Sequence, residues 1–142
     1  MKKEVVVSFK SINDYGDNNK DIVEFKEDGI FFEKDDKHYL KYIETNEEGK
    51  VTVTLKLEEN KATILRFGAD NTQMVIEKDR SKENVYETNE GTFSLNIIAK
   101  TVDINLKEGK IKLCYDVEIN GSHLSKNEIN ITFLEKKESF LW

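Results

Sequence analysis

The stretch that decides the fold is Lys110-Ile111-Lys112-Leu113-Cys114-Tyr115-Asp116-Val117-Glu118-Ile119-Asn120-Gly121. Its odd positions are apolar and its even positions are Lys, Cys, Asp and Glu. A period of two puts one set of side chains in a core and the other in water, which is a strand and not a helix. Asn120-Gly121 then closes the run. That dipeptide is the strongest short hairpin signal, because a type I′ turn needs positive φ at both central residues. On its far side Ile129, Ile131 and Phe133 resume the alternation.

The same period recurs outward from this hairpin. Val5, Val7 and Phe9 alternate with polar neighbours, as do Val51, Val53, Leu55 and Leu57, and Phe93, Leu95, Ile97 and Ala99. The 10 Val, 13 Ile and 9 Thr suit a pleated, half-buried surface. Turn chemistry separates the runs at Asp28-Gly29, Glu47-Glu48-Gly49, Gly68-Ala69-Asp70-Asn71, Asn89-Glu90-Gly91 and Glu108-Gly109. About ten strands are expected, near 4–12, 20–27, 29–35, 37–45, 50–58, 61–67, 72–78, 91–99, 101–107 with 110–120, and 123–135. Arg80 to Asn89 has no apolar face and reads as a loop. Short connectors mean antiparallel neighbours. The absence of a long return connection favours an up-and-down meander of about 8–10 strands closed into a barrel, with negligible helix, over a sandwich. Residues 1–142 read as one domain, since no Pro-rich linker, repeat or low-complexity tract divides them.

Composition excludes several classes. Charged residues are 35% of the chain against 37% hydrophobic, so the core must be economical. With 28 acidic residues, 22 basic ones and a formal charge of −6, the chain lacks the basic field that a nucleic-acid surface needs. Apolar runs reach only three residues, as in Val5-Val6-Val7 and Ile30-Phe31-Phe32, so no membrane-spanning helix and no signal peptide is expected. Cys114 is the single cysteine, which excludes an intramolecular disulfide and suits a reducing cytoplasm.

Chemistry is sparse. His38 and His123 are far apart in sequence, and no zinc spacing, phosphate loop or nucleophile elbow occurs, so neither metal nor cofactor is expected. His38 reads as a rim residue. Asp35-Asp36 and Glu47-Glu48 read as turn residues. Phe9, Phe25, Phe32, Tyr39 and Tyr42 could stack bases, but their flanking charges are mostly acidic, and core packing is the better account. The polar residues that interrupt apolar faces are more informative. Glu44 shares a face with Leu40 and Tyr42, Arg66 with Ala62 and Ile64, and Tyr115 with Leu113 and Val117. Tyr42, Glu44, Arg66 and Tyr115 would thus form a polar floor in an apolar lumen, as small-molecule pockets do. A buried structural ion pair with satisfied hydroxyls is the plainer and preferred reading of the same residues.

The pattern Tyr42-x-Glu44, Arg66-x-Gly68, Met74, Tyr86-x-Thr88, Gly91-x-Phe93, Leu113-x-Tyr115 and Ile129-x-Ile131 resembles the YwiB-like family of uncharacterised bacterial proteins. The resemblance covers nearly the whole chain and implies a calycin (lipocalin-like) β-barrel, but it carries no activity with it. The chain departs from lipocalins in having no Gly-x-Trp near the start, its single Trp being Trp142, and from fatty-acid binding proteins in having no helix pair after the first strand.

Two functions from different classes follow. One is a module, monomeric or dimeric, that binds a small anionic or amphipathic molecule in the lumen with Arg66 as its cationic contact. The other is an interaction or structural barrel with a filled core, acting through a dimer or its acidic surface. An enzyme using Glu44 as base stands third. Register makes a sharper statement. If Asn46–Gly49 and Glu59-Asn60 are hairpin turns, Glu44 faces Val51 and Arg66 faces Val53. Opposed residues share a face, so Glu44 and Arg66 should flank one strand on the same side, about 10 Å apart at the backbone, and pair in a largely desolvated setting.

Overall fold

The computed structural model describes residues 2–136 other than 69, 70, 89 and 120; the side chains of 84–88 and 93 also lie outside the described set. Ten strands follow one another: β1 (Lys2–Asp14), β2 (Lys20–Lys34), β3 (Lys37–Asn46), β4 (Gly49–Glu58), β5 (Lys61–Gly68), β6 (Asn71–Glu77), β7 (Ser81–Thr88), β8 (Gly91–Asn105), β9 (Lys110–Ile119) and β10 (Ser122–Glu135). Each pairs antiparallel with the next, and β1 pairs with β10, so the meander closes into a barrel. Closure satisfies the ladder of the first and last strands without an edge between them.

Three expected boundaries are corrected. Asp28-Gly29 is not a turn: β2 runs unbroken through it, with Gly29 opposite Val5 on one side and Tyr42 on the other. Glycine is there for space. A Cβ would lie 2.8 Å from the Lys41 carbonyl oxygen and 2.9 Å from Val7 Cγ2. Residues 101–105 belong with 91–99 in one strand, β8, whose register shifts between Ala99 and Thr101. The extra residue of a bulge changes the parity of the alternation and imitates a break between strands. Arg80–Asn89 is not a loop, because Ser81–Thr88 is β7. Its strand character comes from a full ladder with β8, from Ser81↔Ile98 to Thr88↔Gly91, and not from its own apolar period. Lys82 stands opposite the buried Ile97, so the inward register is polar where an apolar residue would have signalled a strand.

The turns themselves behave as their chemistry requires. Glu47-Glu48 joins β3 to β4, and Asn60, at φ 63°, helps turn β4 into β5. Asp35 and Asp36 both take positive φ between β2 and β3, which short polar side chains tolerate. The Asn89-Glu90-Gly91, Gly68–Asn71 and Asn120-Gly121 turns fall partly outside the described residues.

The lumen is divided along its length. Toward the β2–β3, β4–β5 and β8–β9 turns it is packed with Leu40, Leu55, Leu57, Ile76, Ile111, Leu113 and Ile131, all essentially removed from water. Each such side chain is worth about 1.5–3 kcal/mol over its exposed state. Toward the β1–β2, β3–β4 and β9–β10 turns the inward positions become aromatic and polar. That end holds the candidate site.

Candidate functional site

The β2–β3 ladder runs from Lys34↔Lys37 to Gly29↔Tyr42 and stops. Beyond it, Lys20–Asp28 stays paired with β1 while Ile43–Asn46 stays paired with β4, and the two strands form no register pair with each other. The barrel wall therefore forks at its polar end. Six of the nine residues 20–28 are charged, which protects an unpaired edge from pairing with another chain.

Aromatic rings close the fork from within. Phe9 and Phe25 are opposed in register and stacked, centroids 4.7 Å apart and 14° from parallel. Phe25 in turn meets Tyr42 at 5.9 Å, tilted by 52°. Tyr42 is buried, and desolvation together with the nearby Glu44 charge raises its phenol above the ordinary value, with Arg66 opposing. It is held neutral, as a hydroxyl and not a phenolate.

Glu44 and Arg66 occupy the positions that register requires. Glu44 pairs with Val51 and Arg66 with Val53, both fully buried residues of β4, so the two side chains point inward on either side of that strand. Arg66 Nη2 donates to Glu44 Oε2 at 2.5 Å. The setting is wetter than the sequence suggested: the side chains are 30% and 19% exposed, because both lie near the open end. The pair is half-buried and not desolvated.

Tyr115 is not part of this group. It lies on β9, which in a ten-strand ring is the wall opposite β4. There it belongs to a second polar patch that the sequence reading missed. Asn127, opposite Tyr115, donates through Nδ2 to Ser125 Oγ at 3.0 Å and to the Tyr115 carbonyl oxygen at 3.5 Å, and both Ser125 and Asn127 are buried. Ser11 is buried nearby on β1, opposite Ile129. The signal was present: Ser125 and Asn127 continue the inward parity of Ile129 and Ile131, as Ser11 continues that of Val7 and Phe9.

Elsewhere the chemistry is structural. His38 stacks on Phe31 at 5.7 Å, with Nε2 3.4 Å from Glu33 Oε2. Cys114 lies on the outer face 3.8 Å from Glu128, and partial burial raises its thiol above the ordinary range, which disfavours a thiolate nucleophile. Among the described residues no group of three or more His, Cys, Asp or Glu could hold a metal ion, and no helix is long and apolar enough to cross a membrane.

The model of a domain of unknown function, DUF1934, matches residues 7–131. The chain belongs to the DUF1934 family. It is 26% identical over 137 residues to a Bacillus subtilis (strain 168) protein described as uncharacterized β-barrel protein YwiB, covering 94% of this chain and 96% of that one. The crystal structure of the ywiB protein from Bacillus subtilis has the same fold, with a TM-score of 0.83 at 24% identity over 96% of this chain and 94% of that chain. The YwiB-like resemblance is thus correct. DUF1934 membership fixes the barrel and assigns no ligand, substrate or partner.

Proposed function

We propose that this barrel is a cytoplasmic binding module for one small amphipathic molecule, held at the forked end of the lumen. The observation that carries the reading is the division of the inward surface. A barrel that served only as a solid scaffold would gain by continuing the apolar packing to both ends. Here one end is filled by buried aliphatic side chains and the stacked Phe31 and Phe133 under His38. The other presents half-buried aromatic faces beside the Glu44–Arg66 pair and the Ser125–Asn127 patch. The apolar body of the ligand lies on Phe9, Phe25 and Tyr42. Its polar or anionic head meets Arg66, which has N–H donors beyond the one engaged by Glu44. Ser125 and Asn127 supply neutral partners on the opposite wall, with Tyr115 among them. Barrels of eight strands are just wide enough to hold one small ligand, and ten strands leave more room.

Native mass spectrometry of the protein purified from its own host tests this. The expected result is a bound small molecule that is released on denaturation, and whose occupancy falls at least tenfold in Arg66→Met and in Phe25→Ala. A bare protein, or a molecule retained equally by both variants, overturns the reading in favour of a filled barrel that acts through its surface.

A further inference from the structure

The formal charge of −6 is not spread evenly over the barrel. Acids gather in turns, at Asp35-Asp36, Glu47-Glu48 and Glu59, while one stretch of wall is cationic. Leu40, Tyr42, Val53 and Leu55 point inward, so the alternate positions of β3 and β4, with their register partners on β2 and β5, point out. From Ile30–Lys34 across to β5 that outer face carries Lys34, Lys37, Lys41, Lys50, Lys56 and Lys61 against one acid, Glu58. Glu58 is already engaged, by Lys37 at 3.0 Å and by Lys61 at 3.9 Å. Among the described residues Lys34, Lys41, Lys50 and Lys56 form no ion pair.

Rings stand among these lysines. In register across the wall run Phe32, Tyr39 and Lys56, then Ile30 and Lys41, then Ile43, Thr52 and Phe67, then Thr45 and Lys50. Phe32 and Tyr39 stack with centroids 5.1 Å apart, and Phe67 is 58% exposed. We propose that this wall binds single-stranded nucleic acid, its phosphates on the unpaired lysines and its bases on Tyr39 and Phe67. A single strand repeats phosphate and base as the wall repeats cation and ring, and stacking accepts any base. The face is long enough: about 27 Å along β3 from Lys37 to Thr45 and about 14 Å from β2 to β5, the scale of a small site of about four nucleotides. Arg66 lies in the lumen and Arg80 beyond β6, so no guanidinium fork reads base edges here and binding should not depend on sequence. A bilayer fits less well, because the acidic turns at both ends of the wall would meet an anionic surface first. The surface is outside the barrel and independent of the lumen.

Fluorescence anisotropy of a labelled oligo(dT) of about 12 nucleotides tests this. Saturable binding is expected at low salt, and four lysine–phosphate contacts should make it weaken about fifty-fold between about 50 and 200 mM salt. Lys41→Glu with Lys50→Glu, both exposed, should weaken it at least about tenfold with an unchanged far-UV spectrum. Phe67→Ala and Tyr39→Ala should each weaken it about fivefold or more, the loss of one stacked base. Lys10→Glu with Lys126→Glu makes the same change of charge on β1 and β10 and should leave binding as it was. No saturable binding at low salt overturns the proposal, as does equal weakening by the two double variants. Full retention by both aromatic variants overturns it as well, since the attraction would then be to any polyanion. So does binding to phosphatidylglycerol vesicles through Lys41 and Lys50 with none to oligo(dT), which would make the wall a membrane surface.

Discussion

Arg66 and Glu44 are 22 residues apart and separated by the whole of β4, yet they share a hydrogen bond of 2.5 Å on the lumen side of that strand. Val51 and Val53 lie between them, so the pair is a polar bridge over an apolar floor. Its half-open setting determines its worth. A fully exposed pair contributes about 0–1 kcal/mol, and breaking a fully buried one costs about 3–5 kcal/mol.

With side chains 30% and 19% exposed, the Glu44–Arg66 bridge falls between those limits. Arg66→Met and Glu44→Gln should each lower unfolding stability by about 1–2 kcal/mol, and the double change should cost less than the sum of the two. Urea denaturation measures all three. Single changes below about 0.5 kcal/mol, or strictly additive ones, would mean that the bridge does not form in solution.

Gly29→Ala is expected to be destabilising by about 1–3 kcal/mol, an overpacking cost without any contribution from positive φ. The added methyl meets the Lys41 carbonyl oxygen at 2.8 Å and Val7 Cγ2 at 2.9 Å. Only the Val7 side chain can give way, since the carbonyl is fixed in the β2–β3 ladder. Thermal unfolding of the single variant checks this; an unchanged midpoint would show that the strands part easily at this position.

How far this arrangement could be read from the sequence depends on which residues carry it. The Glu44–Arg66 bridge was legible because two short hairpins, at Glu47-Glu48 and Glu59-Asn60, transmit register without slack, and the period of two does the rest. The fork was not legible. It arises where β2 and β3 diverge, and neither the alternation in 20–28 nor that in 43–46 records which neighbour a strand keeps. Asp28-Gly29 was misread for a related reason: a glycine required by close backbone approach looks the same in sequence as one required by a turn. β7 was hidden because its pairing with β8 is a tertiary fact, and its inward Lys82 conceals the period. The Ser125–Asn127 patch was legible and overlooked, since small polar residues on an apolar parity draw less notice than charged ones.

Two groups contribute pH dependence of opposite sign. Glu58 accepts a hydrogen bond from Lys37 Nζ at 3.0 Å, and that bond, with the lysine's charge, holds its carboxyl below the ordinary value of 4.5. A carboxylate depressed by folding stabilises above its unfolded pKa, and the gain is lost as pH falls through the folded value. Tyr42 acts at the other limit. Burial raises its phenol above 10.0, so its contribution to stability should hold up to about pH 10 and be lost above, as the unfolded chain ionises first. In an absorbance titration of the five tyrosines, Tyr42 should ionise only with unfolding, and Tyr42→Phe should remove that late step. In Lys37→Met the Glu58 carboxyl, followed by NMR, should move back up toward 4.5. A late step that survives Tyr42→Phe, or an unmoved Glu58, would contradict these assignments.

The fork makes the last prediction, and it concerns backbone protons. In an antiparallel strand alternate N–H groups face opposite neighbours. Over Gly29–Phe32 both edges of β2 are paired, so every amide there should exchange slowly. Over Lys20–Asp28 only the β1 side is paired, so protection should alternate residue by residue, the open-side amides exchanging at rates near those of a solvated chain. Residue-resolved hydrogen exchange by NMR reads this directly. Phe25→Ala removes the ring that bridges the stacked Phe9 to Tyr42 and should cost about 1–3 kcal/mol, less than a fully buried phenylalanine because Phe25 is only half-buried. It should also speed exchange at Gly29 to Phe31, where the ladder would begin to part. Uniform protection across Lys20–Asp28 would mean that the edge is covered by another strand and that the barrel does not fork there.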